Sequence, residues 1–299
     1  MPHTFQSAAL VGNARDSRVA DCMQGLAAHL RRRGLLPLVG ADVGLSFPAG
    51  SVTQCAPAEF ATRADIIIAI GGDGTLLYAA SLVAGRPVPL LGINRGRLGF
   101  LTDVSAASML EDVDSVLDGR YCEDRRSLVA ARVERPGAPT LRALALNDVV
   151  VNKRETGHLL EFETSINGRF VNSHGGDGIV IATATGSTAY ALSCGGPIVE
   201  PDLDVWVLAP ISPHTLSDRP VVVRAGSRIQ IRLSDRQESR AQVACDGRVI
   251  GDLRPGDDLC IEGSESAITL LHPPGYDYYR LLRSKLHWGR GGFAGDPRG

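Results

Sequence analysis

Two stretches of this chain set an aspartate among glycines beside an apolar run: Gly71-Gly72-Asp73-Gly74 after DIIIAI, and Gly175-Gly176-Asp177-Gly178 before IVIATA. The first stands where a buried strand gives way to a helix pattern, TLLYAASLVAG. Glycines there let the backbone take positive φ and bring peptide N–H groups close to an anion, and the helix N-terminus adds partial positive charge. Gly71, Gly72, Gly74 and Thr75 therefore read as a phosphate cradle. A carboxylate inside such a cradle needs its own role: Asp73 either faces a divalent cation or takes a proton from an attacking hydroxyl. The plainer alternative is a tight turn with Asp73 as a helix cap. Two other phosphate motifs fail on spelling. No lysine follows a glycine as in GxxxxGK[ST], and GGDGTL lacks the third glycine of GxGxxG.

Other residues suit the same chemistry. In LLGINRGRLGFLTD, Asn94 directly follows a buried strand and is placed to bond a ligand, while Arg95 and Arg97 could reach phosphates or stay solvated. The second GGDG leads into IVIATATGSTAYALS, where Thr183, Thr185, Ser187, Thr188, Tyr190 and Ser193 supply donors and a ring to stack on, the usual lining of a nucleotide or sugar pocket; Ser187 and Thr188 could equally be helix caps. Asn147 and Asp148 interrupt the otherwise apolar LALNDVVV, and an acidic side chain there is a natural partner for a ribose diol. His158 and His174 have no partner at ligand spacing.

Two kinds of scaffold must hold these loops. Over roughly the first 120 residues, buried-type strands (AALVG, LLPLVG, DIIIAI, PVPLLGIN) alternate with helix patterns. One helix carries Val19, Met23, Leu26 and Leu30 and stops at Gly34; another carries Met109, Val113 and Leu117 behind Ser105. That order indicates a parallel sheet with helices on both faces. After about Tyr121 short segments alternate residue by residue, with hairpin signals at Asn167-Gly168 and Asp246-Gly247, which reads as all-β. Leu281, Leu282 and Leu286 suggest a closing helix, and GRGGFAGDPRG a loose tail.

Composition narrows the function. The 299 residues suffice for two domains, and 44% hydrophobic with 21% charged residues describes a soluble globular chain. With net charge −2, no positive field exists to collect nucleic acid or anionic lipid, so an anionic ligand needs a local site. Lys153 and Lys285 are the two lysines; the remaining cations are arginine, suited to forked contacts with phosphate. Six scattered cysteines without a CxxC argue against zinc and for a reducing compartment. SAALVG is too short for a signal-peptide core and no run spans a membrane, so the expected location is cytoplasmic, with no membrane partner.

Taken together, GGDGTLL, GINRGRLGFL, LNDVV, GDGIVIATATGSTAYALSCGGPI, PHTLSDRPVVV and HPPGYDYYRLLRSKLHW resemble the bacterial ATP-dependent NAD kinases over nearly the whole chain. GGDG alone is shared with diacylglycerol kinases, sphingosine kinases and phosphofructokinases; GDG followed by TGSTAY and GGPI is more specific. The resemblance implies an α/β unit over 1–122, to which 273–299 returns, an all-β unit over 123–272, NAD in the cleft between them, and a homo-oligomer of two or four copies. It implies transfer of the terminal phosphate of ATP, with Mg²⁺, to the 2′-hydroxyl of the adenosine ribose of NAD. Asp73 matches the catalytic base. The dinucleotide side takes Asp73, Gly74, Asn147, Asp148, His158, Gly175, Asp177, Thr188, Ala189, Tyr190, Ala191, Leu192 and Ser193; the donor side takes Gly71, Gly72, Gly74, Thr75 and Asn94. Three spellings differ: most relatives have Asn-Glu at Asn147-Asp148, many have proline at Ala184, and some carry arginine where Gly175 and Gly176 stand. A lipid kinase, the runner-up, lacks TGSTAY, and a non-catalytic dinucleotide sensor would not need Asp73.

Overall fold

Val19, Met23, Leu26, Ala27 and Leu30 form one buried stripe of the helix Ser17–Arg32. The valine, methionine and leucine side chains each contribute roughly 1.5–3 kcal/mol when taken fully out of water. Asp16 caps the helix by accepting from the Arg18 N–H, and Gly34 ends it at φ 83°, a conformation that glycine adopts cheaply. The computed structural model describes residues 5–96, 99–154, 159–234 and 240–288; Arg97, His158 and the expected tail from residue 289 lie outside them. Two units result, Met1–Asp124 with Ile268–Gly299, and Arg125–Ala267. The breaks fall inside the strands Cys122–Glu134 and Asp258–His272.

In the first unit the strands stand in the order Leu90–Asn94, Ile66–Gly71, Ser7–Gly12, Leu36–Gly40, Thr53–Cys55, all parallel, and Leu270 near the end of Asp258–His272 pairs with Leu90. The chain runs outward from Ser7–Gly12 on one side and later returns to its other side. The strand order therefore reverses between Ser7–Gly12 and Ile66–Gly71, and ligands of such sheets bind at the carboxyl ends of strands at this switch. Ile66–Gly71 is buried along its whole length and delivers Gly72 and Asp73 to that edge. The helix behind Ser105 begins at Met109 with Ser108 as its cap; Ser105 instead accepts from the Ser108 N–H, so it fastens the approach and not the helix itself.

The second unit is antiparallel. One sheet runs Arg169–Gly176, Leu160–Ile166, Ile229–Leu233, Asp258–His272; the other runs Val221–Arg224, Val205–Ile211, Gly178–Thr183, Asp148–Lys153, Ala241–Cys245, Arg248–Leu253. Val149, Val151, Ile179, Ile181, Trp206 and Val243 of the latter share a core with Phe162, Ile229, Ile231 and Ile261 of the former. Its opposite face buries Val150, Val180, Ala182, Val207 and Ala209 with Ala191. Covered on both faces, Gly178–Thr183 and most of Val205–Ile211 are continuously apolar, so they lack the alternation expected of this half.

Candidate active site

Gly72 is the N-cap of the helix Asp73–Val83, and Asp73 is its first residue. The carboxylate does not cap the helix. Its Oδ2 accepts the Phe100 N–H at 2.8 Å, and its Oδ1 accepts the Leu101 N–H at 3.0 Å and the Thr102 hydroxyl at 3.2 Å. The glycines also serve differently from the expectation, since none of Gly71, Gly72 and Gly74 has positive φ. A Cβ on Gly71 would lie 2.3 Å from Thr75 Oγ1, so that position is needed for close packing, whereas one on Gly72 or Gly74 would meet nothing within 4 Å. Open space beside the first helical N–H groups suits an anion. A cavity of about 190 Å³ opens on the same sheet edge, lined by Gly12, Asn13, Arg15, Asp42, Phe60 and Tyr78 among others.

The loop after Leu90–Asn94 folds back onto Asp73. Buried Asn94 donates from Nδ2 to Thr102 Oγ1 at 3.0 Å, and its Oδ1 accepts the Gly96 N–H at 2.7 Å. The amide expected to meet a ligand therefore has two partners within its own loop. A Cβ on Gly99 would stand 2.0 Å from Asp73 Oδ1, so this close approach requires glycine. Arg95 is ion-paired with Asp16.

In the second unit the apolar LALNDVVV segment is broken into Leu141–Ala145 and Asp148–Lys153, with Asn147 at the break. The cause is Asp246, at φ 48°, whose carboxylate accepts the N–H groups of Leu146, Asn147 and Asp148 at 2.8, 2.7 and 3.2 Å. Asn147 is buried and its Oδ1 has no hydrogen-bond partner, a polar atom left for a ligand. Burial, and then the Asp246 charge, push the Asp148 carboxyl up to about 7. The TATGST turn lies directly on this break: Thr183 donates to the Leu146 carbonyl at 2.6 Å, and a Cβ on Gly186 would sit 2.1 Å from the Asn147 carbonyl oxygen.

Tyr190 is 39% exposed at the start of Tyr190–Ser193. Burial first, then the charges of Cys194, Asp177 and Asp148, raise its hydroxyl above the usual tyrosine range. Asp177 is held by Lys153 at 2.5 Å, and that hydrogen bond keeps its carboxyl below the usual range. Thr188 donates to the Thr185 carbonyl at 3.4 Å. Ala189 and Leu192 are half-buried and Ser193 exposed, whereas Ala191 turns its methyl into the apolar core and can offer a ligand only backbone. At Gly175 a Cβ would meet nothing within 4 Å, while at Gly176 it would meet the Ile211 and Ser212 carbonyls, so only the first position has room for a larger side chain. His174 stacks on Phe162 and bonds Asp218 at 3.1 Å.

Thr102, Asp246 and Lys153 were not singled out as site residues from the sequence. Thr102 sits in the quoted GRLGFLTD, and Asp246 was legible only as a turn.

The chain matches the family model of the ATP-NAD kinase N-terminal domain over residues 14–121 and that of the ATP-NAD kinase C-terminal domain over 146–272. It is 44% identical to the NAD kinase of Azoarcus sp. (strain BH72) over 285 residues, 95% of this chain and 96% of that one. The chain belongs to the NAD kinase family. The NAD kinase of Nitrosococcus oceani is 42% identical over 97% of this chain and 99% of its own. Among solved structures, an NAD kinase from Archaeoglobus fulgidus in complex with ATP aligns with a TM-score of 0.70 at 27% identity, covering 94% of this chain and 98% of that one. Yeast NADH kinase complexed with NADH shares the fold with a TM-score of 0.90 at 22% identity, covering 98% and 91%. For an NAD kinase, the residues around Asp73 and those around Asn147 and Asp148 are the two sets to be assigned roles.

Proposed function

We propose that this chain is an NAD kinase that transfers the terminal phosphate of ATP to the 2′-hydroxyl of the adenosine ribose of NAD, giving NADP and ADP. Family membership over almost the full length carries this reading. Asp73, ordered by three donors, is the base that takes the hydroxyl proton. Of the four donor-side positions, Gly72 and Gly74 offer the phosphates room, while Gly71 packs on Thr75, whose own N–H is bonded to the Gly72 carbonyl at 2.9 Å. Asn147 and Asp148 receive ribose hydroxyls, and Tyr190 offers a face for stacking. Gly74, Gly175, Asp177, Thr188, Ala189, Leu192 and Ser193 complete the dinucleotide contacts.

Mg²⁺ enters as the partner of ATP. Among the described residues no three His, Cys, Asp or Glu side chains gather to hold a metal, and Mg²⁺ commonly keeps its waters and rides on substrate phosphates. Phosphoryl transfer asks the protein mainly to position and neutralise. We also infer a cytoplasmic homo-oligomer: all six cysteines are free, as in a reducing compartment, and light scattering reads the copy number. Purified protein with NAD, ATP and Mg²⁺ should form NADP; absence of NADP with a folded sample would remove the reading. Parallel reactions with NADH, or with polyphosphate replacing ATP, define the acceptor and donor.

A further inference from the structure

Resting on Asp73 as the base, we propose that Thr102 is the positioning residue that aims Asp73, and that Asp73 Oδ2 is the oxygen that takes the ribose proton. The polarity of the hydrogen bonds carries this. Asn94 Oδ1 is committed to the Gly96 N–H, so the amide must turn its Nδ2, a donor, toward Thr102. The Thr102 oxygen therefore accepts from Asn94, and its single proton is directed to Asp73 Oδ1. Thr102 is 0% exposed, so no water competes for that proton. Oδ1 then takes two donors, Leu101 N–H and Thr102 O–H, and both its lone pairs are filled.

Oδ2 takes one donor, the Phe100 N–H, and keeps a lone pair. The assembly is tied to the sheet, since Asn94 pairs in register with Gly71, two residues before Asp73. During transfer the ribose 2′-O–H passes its proton to Oδ2. The 2′ oxygen bonds to the terminal phosphorus of ATP, and the bond from that phosphorus to its bridging oxygen breaks, releasing ADP.

The test uses the full chain with saturating ATP and Mg²⁺ and a titration of NAD. Thr102→Val keeps the shape and deletes the hydroxyl; Thr102→Ser keeps the hydroxyl. Loss of one hydrogen bond to a charged, aimed group should lower kcat of the Val variant about 10- to 100-fold, with KM for NAD within about twofold. The Ser variant should return kcat to within about threefold of wild type. Asn94→Asp supplies a second arm that leaves Thr102 in place: the new carboxylate draws the Thr102 proton to itself, and kcat should fall likewise even if the Val variant does not fold. Unchanged kcat in a folded Val variant, a Ser variant as slow as Val, or undiminished kcat in Asn94→Asp overturns the proposal. Asp73→Asn is assayed alongside; if it stays active, the reading of Asp73 as base fails instead.

Discussion

Asp246 receives three peptide N–H groups from residues 146–148, and Asp148, buried beside it, is pushed up to about 7 by burial and by the Asp246 charge. Burial raises Asp246 as well, but those three donors favour its charged form. Burial raises both carboxyls, and the three peptide donors counter that rise at Asp246 alone.

A pH dependence follows for dinucleotide binding. Ionised Asp148 accepts ribose hydroxyls more strongly than the protonated form, so KM for NAD should fall as pH rises through about 7. Asp148→Asn should raise KM about tenfold or more at pH 8 and abolish that dependence. The stability sign is opposite. A carboxyl whose folded value exceeds its unfolded 3.8 holds a proton that the unfolded chain has lost, so its contribution is present at low pH and fades as pH rises through about 7. The melting temperature of Asp148→Asn relative to wild type should therefore climb between pH 5 and 8. A flat difference would contradict the buried proton.

His272, 1% exposed, lies between Asp103 Oδ2 at 2.9 Å and Asp124 Oδ2 at 3.3 Å and stacks on Tyr276. Burial pulls its pKa down, yet the hydrogen bonds and charges of Asp103 and Asp124 outweigh this and raise it above 6.5. Stabilisation by the imidazolium is then full near pH 6 and lost as pH rises through the folded value. His272→Gln should cost roughly 3–5 kcal/mol at pH 6, the usual penalty for stripping a buried charge of its partner. Denaturant unfolding at pH 6 and pH 9 should show the gap from wild type narrowing at the higher pH; an equal gap would mean that the ring is held neutral.

Tyr190→Ala should raise KM for NAD about 10- to 100-fold while changing kcat little, the range expected for one base stacked on a ring. Steady-state kinetics at saturating ATP decide it. An unaltered KM would make Tyr190 a surface ring without a ligand.

The parallel sheet was readable because AALVG, LLPLVG, DIIIAI and PVPLLGIN are apolar on both faces and each is followed by a turn or helix signal. Thr53–Cys55 was not readable: three residues carry no period. The break at Asn147 was hidden for a different reason. Its cause, Asp246, is distant in sequence, and a carboxylate that accepts peptide N–H groups leaves no spacing pattern. Thr102 escaped likewise, since a hydroxyl acquires its role only when the loop closes on Asp73. The strand-to-helix turn at GGDG was readable, but the reason offered for its glycines was not the one observed: close packing at Gly71 and open space at Gly72 and Gly74, not positive φ, accompany them.

Whether the Asp73 carboxylate accepts the ribose proton is read from NADP formation by Asp73→Asn, with NAD affinity measured by calorimetry on the same sample. Turnover should fall roughly 10²- to 10⁴-fold, the usual share of a general base, with the dissociation constant for NAD close to that of wild type. Turnover within a few-fold of wild type would contradict the account.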